Sequence, residues 1–127
     1  MATPVEIVTS FLAMWEKPDG FAEAVRAYFT PDTVWENVGM SKTTGPEKAL
    51  GVFAGFGTDG GPVTVRVDTL AIAAAGDKVL TERIDRVLDA QGRSAMDIPL
   101  MGVFEVKDGK IVAWRDYFDT AGFQQQG

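Results

Sequence analysis

"VLTERIDRVLDAQGRSAMDIPLMGVFEVKDGKIVAWRDYFD", residues Val79 to Asp119, decides the fold. Runs of β-forming residues at about 78 to 89, 93 to 106 and 110 to 118 are separated by "DAQGR" and "KDGK". Both separators carry turn chemistry, and the Asp-Gly pair of the second is a tight-hairpin signal. A further run at about 62 to 75 leads in through "AAGDK", so the C-terminal half reads as an antiparallel meander. Charges stand where a strand centre would ordinarily be apolar: Glu82, Arg83, Asp85 and Arg86 in one strand, and Arg115, Asp116 and Asp119 at the end of the last.

Side chains alternate across a strand, which sorts these charges. Thr81, Arg83, Asp85 and Val87 share one face, Trp114, Asp116 and Phe118 share another, and Ile98, Leu100 and Gly102 share a face of the strand between. If these faces meet, they enclose an apolar cavity with two carboxylates and one guanidinium. The plainer reading is a cross-strand Arg83–Asp85 ion pair on a solvated face, with Glu82, Arg86 and Arg115 in water. Trp15, Trp114 and Tyr117 read as core or sheet packing, and the five Met residues mostly as fillers of core gaps.

The N-terminal half is helical. Thr3-Pro4-Val5-Glu6 forms a capping box ahead of a helix from about Pro4 to Glu16, with Val5, Val8, Phe11, Leu12 and Trp15 on its buried face. Lys17-Pro18-Asp19-Gly20 ends it, and Phe21 to Phe29 makes a second helix that stops at Thr30-Pro31-Asp32. Thr33 to Val38 is a short strand that turns Trp35 and Asn37 to one side and Val34, Glu36 and Val38 to the other. Gly39 to Thr44 reads as polar loop. Thr44-Gly45-Pro46-Glu47 then starts a third helix, "EKALGVFAGF", which fades into "GTDGGP". Three helices against a curved sheet make an α+β domain whose concave face can hold a pocket.

With 127 residues, 46% of them hydrophobic, the expectation is a single domain spanning 1–127. A net charge of -6 disfavours nucleic acid and anionic membrane surfaces, which reward clustered Lys and Arg. No apolar run approaches the roughly 18 residues of a membrane span, and the N-terminus lacks a basic leader, so a cytoplasmic location is expected. The chain has no His and no Cys. That removes Ser-His-Asp triads, Cys nucleophiles and His- or Cys-ligated zinc, leaving proton transfer to Asp, Glu, Tyr or Lys. No cofactor or metal is expected.

"WEN" (35–37), "VLTERIDRV" (79–87), "LMGVFEVKDGKI" (100–111) and "WRDYFD" (114–119) resemble the limonene-1,2-epoxide hydrolase family in order and spacing. The resemblance covers most of the chain, the first 30 residues matching mainly in helical pattern. It implies a ketosteroid-isomerase-like cone, with helices in the concave face of a mostly antiparallel mixed sheet. A homodimer is implied as well, opening an epoxide with water in one step, without metal or covalent intermediate. Carried over by position, Asp85 resembles the general acid, Arg83 the bridge between carboxylates, Asp116 the water-activating base, and Asn37 the amide that holds the water. The family's water-holding tyrosine is here Trp35, whose indole can donate a hydrogen bond but not accept one.

For such chemistry the two carboxyls must differ in protonation; the expectation is that Arg83 neutralises one negative charge of the pair, leaving a single proton that unlike surroundings place on Asp85. Val87, Ile98, Leu100 and Phe118, with Met14, Val67 and Phe123, are the expected apolar wall, suited to a compact terpene-like or cyclic epoxide. An isomerase or polyketide-type cyclase on the same cone, and a noncatalytic binder of apolar ligands, are the competing readings.

Overall fold

The computed structural model describes residues 2–55 and 64–121. The sequence reading of Phe123, of the glycine-rich segment and of the Gln-rich tail falls outside these residues. The chain runs α1 (Pro4–Met14), α2 (Gly20–Tyr28), β1 (Phe29–Asn37), β2 (Ser41–Thr44), α3 (Pro46–Ala54), β3 (Thr64–Ala75), β4 (Lys78–Leu88), β5 (Ser94–Lys107) and β6 (Lys110–Tyr117).

The expected capping box opens α1: Glu6 N donates to Thr3 Oγ1 at 3.2 Å, and Thr3 N donates to Glu6 Oε1 at 2.9 Å. Two of the four backbone donors left open at a helix start are thereby satisfied. The helix ends sooner than the pattern suggested, with Trp15 as its cap. Ile7, Val8, Phe11 and Leu12 form its buried face, and the Phe11 ring meets those of Trp15, Phe29, Phe104 and Trp114 at centroid distances of 5.5 to 6.1 Å. Helix α1 therefore lies against the inner face of the sheet.

Six strands form one open, curved, mixed sheet in the order β2-β1-β6-β5-β4-β3. The β3 to β6 meander is antiparallel throughout, as its turns required. Asp108 and Gly109 take the positive φ angles, 51° and 77°, of a twist-matched two-residue hairpin. The parallel pair is β1 with β6, which brings the first strand beside the last, with Trp35 opposite Trp114 and Asn37 opposite Asp116.

One segment departs from the sequence reading. Ser41 to Thr44, read as polar loop, is the edge strand β2, paired antiparallel with β1. "SKTT" has no apolar alternation to announce a strand, and an edge strand is free to be short and polar. No helix among the described residues is long and apolar enough to cross a membrane.

Candidate active site

The strand period of two turns Val79, Thr81, Arg83, Asp85 and Val87 of β4 inward, while Glu82 stays exposed. The charges of this strand divide between the two faces. Arg86, half-buried, pairs with Asp68 at 2.6 Å and Asp97 at 3.0 Å, and Arg115 pairs with Glu105 at 2.7 Å, as interactions among partly exposed groups. Arg83 is different, for its side chain has no solvent exposure at all.

From that position Arg83 joins two carboxylates. Its Nε donates to Asp85 Oδ1 at 3.1 Å and its Nη2 to Asp85 Oδ2 at 2.9 Å, while Nη2 also donates to Asp116 Oδ2 at 3.1 Å. Nη1 donates to Thr81 Oγ1 at 3.0 Å, and the Thr81 hydroxyl donates in turn to the Gly102 carbonyl at 3.1 Å. The guanidinium carbon lies 5.5 Å from the Phe104 ring centroid and 5.9 Å from that of Trp15, within cation–π range. The exposed ion-pair reading of Arg83 and Asp85 is thereby excluded; the pair is internal.

Gly102 makes this geometry possible. A β-carbon there would stand 2.4 Å from Arg83 Nη1 and 2.5 Å from Asp116 Oδ1, so any side chain would occupy the meeting point.

Asp116 has a second fixed donor. Trp114, two residues earlier on the same strand face, donates its indole N–H to Asp116 Oδ1 at 2.7 Å. Across the parallel pairing, Asn37 faces Asp116, and its Nδ2 donates to Ser41 Oγ at 3.0 Å. The polar β2 strand, passed over by the sequence reading, therefore supplies the hydroxyl that orients the amide.

Electrostatics follow from burial. Asp116 is pushed up to about 6, first by burial and then by the Asp85 charge, against the pull of Arg83 and the Trp114 hydrogen bond. Burial works against the charge on Arg83, but the Asp116 and Asp85 carboxylates more than offset it and raise it above its ordinary value. Burial thus favours holding a proton at this pair of buried carboxyls.

The two carboxylates and Asn37 open onto one cavity. Trp35, Asn37, Asp85, Val87, Ile98, Leu100, Asp116 and Phe118 are on its wall, as the alternation required. Trp15, Phe21, Phe53, Val65 and Trp114 are there too. Trp15 and Trp114, read chiefly as packing, both pack in the core and line the cavity. Their signal was in the sequence: Trp114-x-Asp116 puts an indole and a carboxylate on one face of a strand.

Two expected wall residues are elsewhere. Val67 shares a strand face with Val65 but lies further along β3, where Thr9, Leu12, Ala13 and Glu16 of the α1 segment form a separate cleft over it. Met14 is half-buried against the core while its neighbour Trp15 takes the wall position, since adjacent helical residues point about 100° apart.

Comparison with known proteins meets this site from the other direction. Residues 2–126 match the limonene-1,2-epoxide hydrolase catalytic domain. Epoxide hydrolase EphG of Mycobacterium tuberculosis is 36% identical over 113 residues, which cover 89% of this chain and 71% of that protein. The structure of a Mycobacterium tuberculosis LEH-like epoxide hydrolase superposes with a TM-score of 0.75 at 33% identity, covering 96% of this chain and 86% of the other. A Catenulispora acidiphila protein with a ketosteroid isomerase-like fold, solved with trimethylamine, gives 0.74 at 23% identity, covering 98% and 93%, and speaks for the fold alone. With the family matched along nearly its whole length, the chain belongs to the limonene-1,2-epoxide hydrolases and is an enzyme acting on epoxides.

Proposed function

We propose that the protein opens a compact hydrophobic epoxide, limonene-like or another cyclic terpene epoxide, to a vicinal diol by one-step attack of water. Asp85 is the acid that protonates the epoxide oxygen, Asp116 the base that takes a proton from water, and Arg83 the bridge between them. Asn37, held by Ser41, orients the water. The observation that carries this reading is a fully buried guanidinium shared by two carboxylates on the wall of an otherwise apolar cavity. Removing such charges from water costs several kcal/mol per ion, and a pocket for simple apolar binding would do better without them.

The protons follow from charge balance. One guanidinium offsets one carboxylate, so a single proton shared by the pair completes neutrality, and the two titrate together. Burial favours holding that proton at the pair, and the bound substrates determine which carboxyl carries it. An epoxide oxygen seated at Asp85 accepts a hydrogen bond only from the protonated acid, and a water seated between Asn37 and Asp116 can give up a proton only to an ionised carboxylate. As water attacks carbon, the C–O bond breaks, Asp85 gives its proton to the ring oxygen, and Asp116 takes one from water. Atoms and charges balance without a cofactor.

The wall supports the substrate class. Aromatic rings of Trp15, Phe21, Trp35, Phe53, Trp114 and Phe118 surround the polar groups together with Val65, Val87, Ile98 and Leu100. No Lys or Arg lines the cavity among the described residues to hold an anionic substrate. Limonene oxide hydrolysed in a single turnover in oxygen-18 water should give diol carrying one heavy oxygen. Diol with light oxygen would mean that a carboxylate attacked first, and would overturn the one-step mechanism.

The working unit we propose is a homodimer. Leu70, Leu80, Met101 and Tyr117 are exposed on the outer face of β3 to β6, with Ile84 and Pro99 between them, an apolar surface that a second copy would cover. Light scattering should report twice the monomer mass, and Met101→Glu should halve it.

A further inference from the structure

Trp35, Trp114 and Phe104 are register partners on three adjacent strands, β1, β6 and β5. Their rings stack nearly parallel: Trp35 on Trp114 at 4.7 Å and 13°, and Trp114 on Phe104 at 5.4 Å and 16°. All three are buried. The middle ring donates its indole N–H to Asp116 at 2.7 Å, and the last ring lies 5.5 Å from the Arg83 guanidinium. Two catalytic groups therefore rest on one three-ring ladder.

Trp35 behaves differently from Trp114. Its own Nε1 is buried and has no hydrogen-bond partner, so its donor is not what ties it into the site. What ties it in is the face of its ring, closing the ladder on the side opposite Phe104. We infer that Trp35 is a positioning residue that acts through Trp114 on Asp116, holding the base by stacking rather than holding the water by its N–H. This rests on the reading of Asp116 as the base.

The physical logic is that a carboxylate base must present a lone pair along one direction, and a side chain hydrogen bond fixes that direction only if its donor is itself fixed. Phe11, Trp15, Phe21 and Phe29 also pack against Trp114, at tilted or edge-on angles, but Trp35 and Phe104 alone lie nearly parallel to its two faces and set its tilt. Without Trp35 its N–H would swing away from Asp116. The lost bond favours the charged carboxylate, so its loss would let Asp116 hold a proton to higher pH. The charged groups acting on Asp116 are Arg83 and Asp85, both from β4; β1 offers the neutral Asn37 and β5 the bare Gly102.

Phe and Leu at position 35 separate the two roles, because Phe keeps a stacking face without an N–H and Leu keeps only bulk. We would measure kcat and KM against pH for W35F and W35L on limonene oxide. Beside this, the Trp114 indole N–H resonance would be followed by NMR through the Asp116 titration, without substrate. W35F is expected to keep the titration midpoint in place, whereas W35L is expected to move the midpoint and the acid limb upward together and to lose about 10-fold more kcat than W35F. Because Trp35 also lines the cavity, KM is free to change in both. Equal losses in W35F and W35L, or an unmoved midpoint in W35L, would overturn the proposal. A wild-type enzyme that opens no epoxide would sink the reading of Asp116 as base, while the resonance would still show whether Trp35 governs the Trp114–Asp116 bond.

Discussion

Gly102 lies beneath Arg83 so closely that a β-carbon on it would stand 2.4 Å from the guanidinium Nη1. The same β-carbon would be 2.5 Å from Asp116 Oδ1 and 3.1 Å from Thr81 Oγ1, so the smallest side chain would part all three groups. Gly102→Ala should therefore lower kcat by at least about 100-fold, with a stability loss of about 1 to 3 kcal/mol, typical of overpacking. Denaturant unfolding beside steady-state kinetics would check it; a variant with ordinary turnover would mean that Arg83 does not need its observed position.

Acidification should silence the enzyme before it unfolds it. With Asp116 pushed up to about 6 by burial, the base is protonated below that value, and kcat/KM should fall about tenfold per pH unit on that side. The stability contribution has the opposite sign. A carboxyl raised in the folded state adds stability that is fully present below its unfolded value, near 3.8, and lost as pH rises through about 6. Activity is gained where this contribution is lost. A pH profile without an acid limb between about 5 and 7 would contradict this placement of the base.

Removing the bridge should be costly in a pH-dependent way. Arg83→Met leaves Asp85 and Asp116 facing one another without a shared cation, and breaking a buried pair in this manner typically costs about 3 to 5 kcal/mol. Protonating either carboxyl relieves the repulsion, so the variant should melt closer to wild type at pH 5 than at pH 8. A stability deficit that is independent of pH would show the carboxylates to be uncoupled.

Ser41→Ala tests the support behind the water. It removes the acceptor of the Asn37 Nδ2 bond at 3.0 Å while leaving the amide in place. Turnover should fall about 3- to 10-fold while stability changes by no more than about 1.5 kcal/mol, the usual worth of one hydrogen bond. Unchanged kcat would mean that Asn37 is oriented by something other than Ser41.

Much of this site was legible in the chain because β-structure writes its faces with a period of two. Arg83, Asp85 and Val87, Trp114 and Asp116, and Trp35 and Asn37 could each be sorted by counting, and each sorted set faces inward. Illegible was whatever depends on the third dimension. The β2 strand is polar on both faces and becomes a strand by pairing with β1. Val67 shares the inner face of β3 with Val65, and only the lie of α1 across it removes it from the cavity. Alternation told which way Gly102 points but gave no sign that two side chains meet above it. Burial, which helps decide where a proton is held, depends on neighbours that periodicity does not rank, so the push on Asp116 could not be read from spacing.

The parallel pairing of β1 with β6 sets Asn37 beside Asp116, although most of the meander separates them along the chain. A growing polypeptide has thus made its amide and its edge hydroxyl long before the carboxylate beside them, and β6 completes the sheet by sitting between β1 and β5. If Asp116 is the base, as proposed, a copy cut short before residue 116 carries the pocket's first strand without its base and should open no epoxide.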